Sequence, residues 1–360
     1  MHTTASLFVL FAAAVTASSS STTNFNNDPR TTPTYVLNDV TIASSSSTTI
    51  ANFNNDPRTT STYVLNDAII ATINNHPRGG STWTAARNTA FEGVTLSEAK
   101  TLLGALDTTH HITTTSDDLV QQETAARVGK NPLNFDSRQQ WPGCVGAIRN
   151  QQRCGGCWAF GAAEVLSDRF CIAGVNVTLS PQDLMSCGHV RTPPKYMLGC
   201  DGGVPEYAWK YLEDTGISTD ACIPFVTTMD NMTEACPHNQ TCDSTKYKAK
   251  QGSTRLLNGA SSAAQQYMSD PTNGGPIQAV FYVYQDFFAY KSGIYTHTNK
   301  TQRPLGKHSV KVVGYGLDNG APYWTVANSW GVHWGMDGFF KIGQDECMIT
   351  SEMVFGQPAV

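Results

Sequence analysis

Asn150-Gln151-Gln152-Arg153-Cys154-Gly155-Gly156-Cys157-Trp158-Ala159-Phe160 decides how this chain is read. A Cys-x-x-Cys pair has three chemical readings. A zinc half-site needs a second Cys/His pair at matching spacing. The chain offers no clean one, since five residues lie between Cys236 and Cys242 and His238 stands single. A redox dithiol belongs beside a βαβ pattern in a reducing compartment. The third reading is a nucleophile that opens a helix. Ala159, Phe160, Ala162, Ala163, Val165, Leu166 and Phe170 follow Cys157 with no proline, and Gly174 stands where such a helix would end. A thiol at a helix N-terminus feels the positive end of the macrodipole, which lowers its pKa.

A thiolate needs a proton donor for the leaving amine and a third group to orient that donor. Five histidines lie after residue 131: His189, His238, His297, His308 and His333. His308 heads His308-Ser309-Val310-Lys311-Val312-Val313-Gly314-Tyr315-Gly316, which alternates like a strand. Pro322-Tyr323-Trp324-Thr325-Val326-Ala327-Asn328-Ser329-Trp330-Gly331 reads as a second strand ending in Asn-Ser-Trp.

These three segments, in this order, resemble the active-site blocks of papain-like cysteine peptidases. Gly156 departs from the pattern, where the family has Ser or Ala. The resemblance implies Cys157 as nucleophile, His308 as its acid–base partner and Asn328 as orienter. It implies Gln151 as an oxyanion donor and Trp330 as a cover over the Asn–His hydrogen bond. Gly202-Gly203, after Cys200-Asp201, match the family's bare backbone for an extended peptide. Asn134–Pro142, Asp168–Cys171, Asp318–Trp324 and Gly343–Cys347 narrow the resemblance to the cathepsin B-like subgroup. There Glu352 aligns with the acid at the floor of the pocket for the second residue before the scissile bond, which implies acceptance of Arg as well as apolar side chains. The subgroup's occluding loop carries tandem histidines. Here thirteen residues separate Cys222 from Cys236 with no His between them, and the only tandem, His110-His111, lies far upstream. A shortened loop and a mainly endopeptidase activity are therefore expected, with a peptidyl-dipeptidase or a non-catalytic peptide-binding protein as the alternatives.

Ten cysteines, all between Cys144 and Cys347, leave nine beside Cys157, so one is unpaired. Spacing alone leaves their connectivity open. The resemblance implies Cys144–Cys171, Cys154–Cys200, Cys187–Cys236 and Cys222–Cys242, with Cys347 free. Disulfides and the sequons at Asn176, Asn231, Asn239 and Asn299 fit a secretory, lysosome-like or extracellular route.

The front of the chain has a different composition. Residues 1–17 carry a short apolar run, Leu7 to Val15, read as a signal peptide. Residues 18–81 are Ser-, Thr- and Asn-rich with an internal repeat. Asn24–Arg30 returns as Asn52–Arg58 and Thr34–Asp39 as Thr62–Asp67, at an offset of 28 residues. This stretch reads as a flexible leader. Residues 82–130 read as a prosegment with one or two short amphipathic helices, around Trp83, Phe91 and Leu96, one of them capped at Thr95. Residues 131–360 form the peptidase-like domain. The expected fold is α+β and papain-like, with a helical lobe, a β-barrel-like lobe and the N-terminal prosegment.

The net charge of −5 excludes a strongly basic nucleic-acid binder, and no apolar run reaches the roughly 18 residues of a membrane span. No cofactor or metal is expected. Expected partners are peptide and protein substrates, the chain's own prosegment as inhibitor and cystatin-like inhibitors, with the protein a monomer.

Overall fold

The computed structural model describes residues 63–75, 82–107, 131–191, 196–226, 236 and 245–360. The expected signal peptide, most of the leader repeat, His110-His111, His238, Asn231, Asn239 and Cys242 lie outside them, as do residues 227–235 of the interval between Cys222 and Cys236.

The helical lobe is built on α4 (Cys157–Ile172), with α5 (Pro181–Arg191) and α6 (Pro205–Asp214) packed around it. Cys157 through Phe170 are all buried. Small and apolar residues on every face suit such a central helix. Gly174, at φ +92°, ends it as a Schellman cap: its N–H donates to the Cys171 carbonyl and the N–H of Val175 to that of Phe170. Shorter helices are α1 (Asp67–Asn74), α2 (Leu96–Lys100), α3 (Ser137–Gln140) and α7 (Ser261–Ser269).

The second lobe is a sheet of β1 (Trp83–Ala85), β3 (Arg255–Leu257), β4 (Ile277–Val283), β5 (Tyr290–Tyr295), β6 (Gly306–Asp318), β7 (Ala321–Ala327), β8 (Phe339–Gly343) and β9 (Glu352–Phe355). They run in the order β1-β5-β8-β7-β6-β4-β9-β3, and β2 (Phe135–Asp136) pairs with β6. The sheet stays open, with β1 and β3 at its two ends, so the expected barrel-like lobe has the strands but not the closure. Strand β6 lies between β4 and β7 and is buried on both faces from Lys307 to Gly316. Its sequence alternation therefore reports residue type, not exposure.

The prosegment contributes both a strand and helices. Trp83, expected on a helix, lies in β1 opposite Gly293 of β5. Trp83 and Ala85 are buried and Thr84 is exposed, so tertiary pairing overrides the helical spacing. Thr95 caps α2 through a reciprocal box with Glu98, as its sequence implied. Residues 63–75 fell in the expected leader, yet Val64, Leu65 and Ile73 are buried in the core and Asn66 caps α1. The second copy of the repeat thus enters the folded body through its Tyr-Val-Leu-Asn-Asp half.

Candidate active site

Cys157 is the first residue of α4, and His308 lies near the start of β6. Two devices fix α4 against β6. Gly161 leaves no Cβ where one would meet Gln278 and Ser309 at about 3 Å. Gln278 Nε2 donates to the Trp158 carbonyl and to Ser309 Oγ, crossing from helix to strand. Backbone N–H groups of Ser309 and Trp158 point at the Cys157 thiol.

Asn328 follows the last residue of β7. Its Oδ1 lies 2.8 Å from His308 Nε2 and accepts a second hydrogen bond from the N–H of Ser329. The Asn328 bond occupies Nε2 and leaves Nδ1 buried without a hydrogen-bond partner among the described residues. The Trp330 ring stacks on the imidazole, with centroids 4.8 Å apart at 29°. Phe288 stacks on Trp330 in turn, which seals this side of the site. Gln151 is fully buried. Its Oε1 accepts from Ser329 Oγ and its backbone N–H donates to the Ser329 carbonyl, so the loop before α4 is bonded to the segment after β7. The structure therefore brings together Cys157, His308, Asn328, Gln151 and Trp330 from three separate stretches of sequence.

The cleft is filled by the chain itself. Gln151 Nε2 donates to the carbonyl of Leu102 at 3.0 Å. A backbone N–H from Gly104 reaches the Cys157 thiol. Gly104 lies so close to Gly155 that a Cβ on it would meet the Gly155 carbonyl. Further on, the Gly203 N–H donates to Gly104 and the Leu106 N–H to Gly203, at 2.8 and 3.0 Å. Gly202 has φ +110°, and a Cβ there would strike the Gly104 carbonyl. Leu106 borders a pocket lined also by Val204, Pro205, Val280, Met353 and Glu352. Asp107 ends the run against Lys307, 2.5 Å away.

Burial dominates the titration of this covered pair. It pushes the Cys157 thiol up to about 11 against the N–H groups that favour the thiolate. It lowers the His308 imidazole to about 4, although the bond to Asn328 works the other way. Between those values the covered pair is a neutral thiol and a neutral ring. The lowering expected from the helix terminus is outweighed while the prosegment excludes water.

Cys144–Cys171, Cys154–Cys200 and Cys187–Cys236 are bonded, and Cys222 is in a disulfide whose expected partner, Cys242, lies outside the described residues. Cys347 carries a free thiol. Cys154–Cys200 ties the loop before Cys157 to the Gly202-Gly203 segment. Asn176 and Asn299 are exposed. Two features of the cleft carry no motif in the sequence. One is the small-residue pair Gly104-Ala105, which fits the narrow cleft. The other is Lys307, marked in the sequence only by a charge beside His308.

Comparison with known proteins agrees with this architecture. Residues 131–357 match the model of the papain family cysteine proteases, and residues 65–109 that of the peptidase family C1 propeptide. The chain belongs to the papain family of cysteine proteases. Within it the chain is cathepsin B-like and carries a propeptide, the organisation of a zymogen. It is 39% identical over 261 residues to cathepsin B-like cysteine proteinase 4 of Caenorhabditis elegans, covering 64% of this chain and 76% of the relative. It is also 39% identical over 275 residues to the gut-specific cysteine proteinase of that organism, covering 68% and 79%. Among solved structures, procathepsin B S9 from Trypanosoma congolense superposes with a TM-score of 0.69 at 35% identity, over 82% of this chain and 99% of that one.

Proposed function

We propose that this chain is the latent form of a cysteine endopeptidase that cleaves peptide bonds through Cys157, His308 and Asn328. The observation that carries this reading is the path of residues 102–107, an extended peptide held over the thiol by Gln151 and Gly203. In hydrolysis the Cys157 thiolate attacks the scissile carbonyl carbon. A C–S bond forms and the carbonyl electrons move to oxygen. The Gln151 amide and the Cys157 N–H donate to that oxyanion, each such donor contributing about 10²–10³ in rate. The charged His308 ring gives its proton to the amine nitrogen as the C–N bond breaks. Water, losing its proton to the now neutral ring, then attacks the thioester and releases the acid, restoring the thiolate. Asn328 holds the ring and Trp330 keeps water off their hydrogen bond.

The prosegment evades this chemistry by direction. It runs from Gln151 past Cys157 to Gly203. In a substrate with its preceding residues beside Gly203 and Glu352, the chain would run the opposite way. No carbonyl of the prosegment is then presented with a leaving amine on the correct side.

The endopeptidase reading is favoured by the histidine-free interval from Cys222 to Cys236, which lacks a tandem-histidine clamp for a terminal carboxylate. The expected setting is a secretory, lysosome-like or extracellular compartment. No helix among the described residues is long and apolar enough to cross a membrane. The test is cleavage of blocked Phe-Arg coumarin amide by acid-matured protein beside Cys157→Ala, together with a peptide ending in a free carboxylate and its amide. Cleavage lost with Cys157, and no preference for the free carboxylate, is the expected result. A strong preference for the free carboxylate gives the peptidyl-dipeptidase reading. No cleavage by matured protein with intact disulfides gives the peptide-binding one.

A further inference from the structure

Lys307 immediately precedes His308, and the family resemblance assigns it no role. Strand β4 places it. Lys307 lies opposite Tyr282 and Glu352 opposite Val280. Val280 and Tyr282 are two apart, so Lys307 and Glu352 rise on one face of the sheet. Val280 and Glu352 line the pocket that Leu106 borders, and Lys307 reaches its rim through Glu352. The Lys307 ammonium is bonded to the Glu352 carboxylate, lies 2.5 Å from Asp107 and sits 5.2 Å from the centre of the Tyr282 ring. The lysine side chain is only 8% exposed, whereas those of Glu352 and Asp107 are 46% and 73% exposed. The buried member of the trio is thus the cation, and two carboxylates hold it.

Asp107 departs with the prosegment. Glu352 is fixed on β9 and remains. Lacking Lys307, the pocket would hold one uncompensated carboxylate and draw a cationic side chain. With it, the pair is neutral, and an arriving guanidinium meets an ammonium already bound to the carboxylate it needs.

Resting on the peptidase reading above, we infer that Lys307 is a specificity-determining residue: it neutralises Glu352, so the pocket selects Leu- or Phe-like side chains second before the scissile bond and rejects Arg. This overrides the Arg acceptance that Glu352 alone implied. Leu106, the prosegment side chain at the pocket wall, is of the selected class.

The test compares matured protein on blocked Leu-Arg, Phe-Arg and Arg-Arg coumarin amides. The wild type should prefer Leu and Phe over Arg by about tenfold or more in kcat/KM, the scale of one partly buried charge interaction. Lys307→Met should raise the Arg-to-Leu ratio about tenfold, and adding Glu352→Gln should bring it back. Equal turnover of Leu-Arg and Arg-Arg by wild type, or a ratio unmoved by Lys307→Met, overturns the inference. If Lys307→Met does not mature, wild-type inhibition by two peptide aldehydes differing only as Leu or Arg at that position decides: weaker inhibition by the Arg compound supports the role, and equal inhibition overturns it. Absence of any hydrolysis or aldehyde binding overturns the peptidase reading itself, and this inference with it. Hydrolysis of both substrates alike overturns the Lys307 role only.

Discussion

Lys311 Nζ on β6 lies 2.7 Å from Asp168 Oδ2 on α4, both side chains almost wholly buried. Glu164, one turn earlier on the helix, lies 3.5 Å from the same ammonium. The strand of His308 and the helix of Cys157 are therefore joined by a charge cluster deep behind the catalytic cleft. Burial raises the proton affinity of both carboxylates, while their charge raises that of Lys311 despite its own burial.

Removing one partner should cost more than the pair itself is worth. Asp168→Ala strips the closest counter-charge from a buried ammonium, a change of about 3–5 kcal/mol. Chemical denaturation of the disulfide-intact zymogen should show this loss. A change below about 1 kcal/mol, the scale of an exposed pair, would contradict the placement.

Gln151→Ala should lower kcat by about 10²–10³ if the amide serves the oxyanion. The variant also loses the Ser329 hydroxyl bond, so Ser329→Ala serves as a control for structural loosening. Equal losses in both variants, measured after titration of active sites, would assign Gln151 a positioning role only.

Docking of the prosegment should weaken in acid. Burial lowers His308 to about 4 in the docked form, whereas an unburied imidazole titrates at about 6.5. The docked form binds the proton less well. Its stability is therefore fully present above the unburied value and falls as pH drops towards the docked one. Hydrogen exchange at β1 in Cys157→Ala zymogen should show protection at about pH 7.5 that is lost by about pH 4.5. Protection that is flat across this range would sink the idea. The docked thiol, raised to about 11, should also resist alkylation at neutral pH until the prosegment leaves.

Trp83 is the main apolar anchor of the prosegment. It stacks with Tyr290, meets Tyr295 edge-on and donates through Nε1 to the Thr296 carbonyl. Trp83→Ala should cost about 3–5 kcal/mol of docking. The expected readout is prosegment cleavage at neutral pH, where the wild type stays intact. Unchanged latency would mean that Asn88, bonded to the Phe288 and Tyr290 carbonyls, suffices alone.

How much of this was legible follows from where the information lies. The Cys157 helix, its Gly174 cap and the Thr95 box were readable because residue type and short spacing set them. The sequence order of Cys157, His308 and Asn328 carried the family and the fold. Trp83 was misplaced because β1 exists only through its pairing with β5, some 200 residues away. Val64 and Leu65 looked like leader because two apolar residues in a polar stretch show their burial only against the folded body. Lys307 was silent because its role depends on Glu352, two strands across the sheet.

The pairing of β1 with β5 has a consequence for the life of the protein after maturation. While the precursor is whole, Trp83, Thr84 and Ala85 occupy the hydrogen-bonding groups of Tyr290 to Gly293. Excision of the prosegment strips that row of donors and acceptors bare, beside the aromatic socket that Trp83 vacated. Such a seam can recruit any extended segment, including one from another copy. The prosegment strand therefore covers an edge that would otherwise stand open to pairing, and its excision uncovers that edge as activity begins.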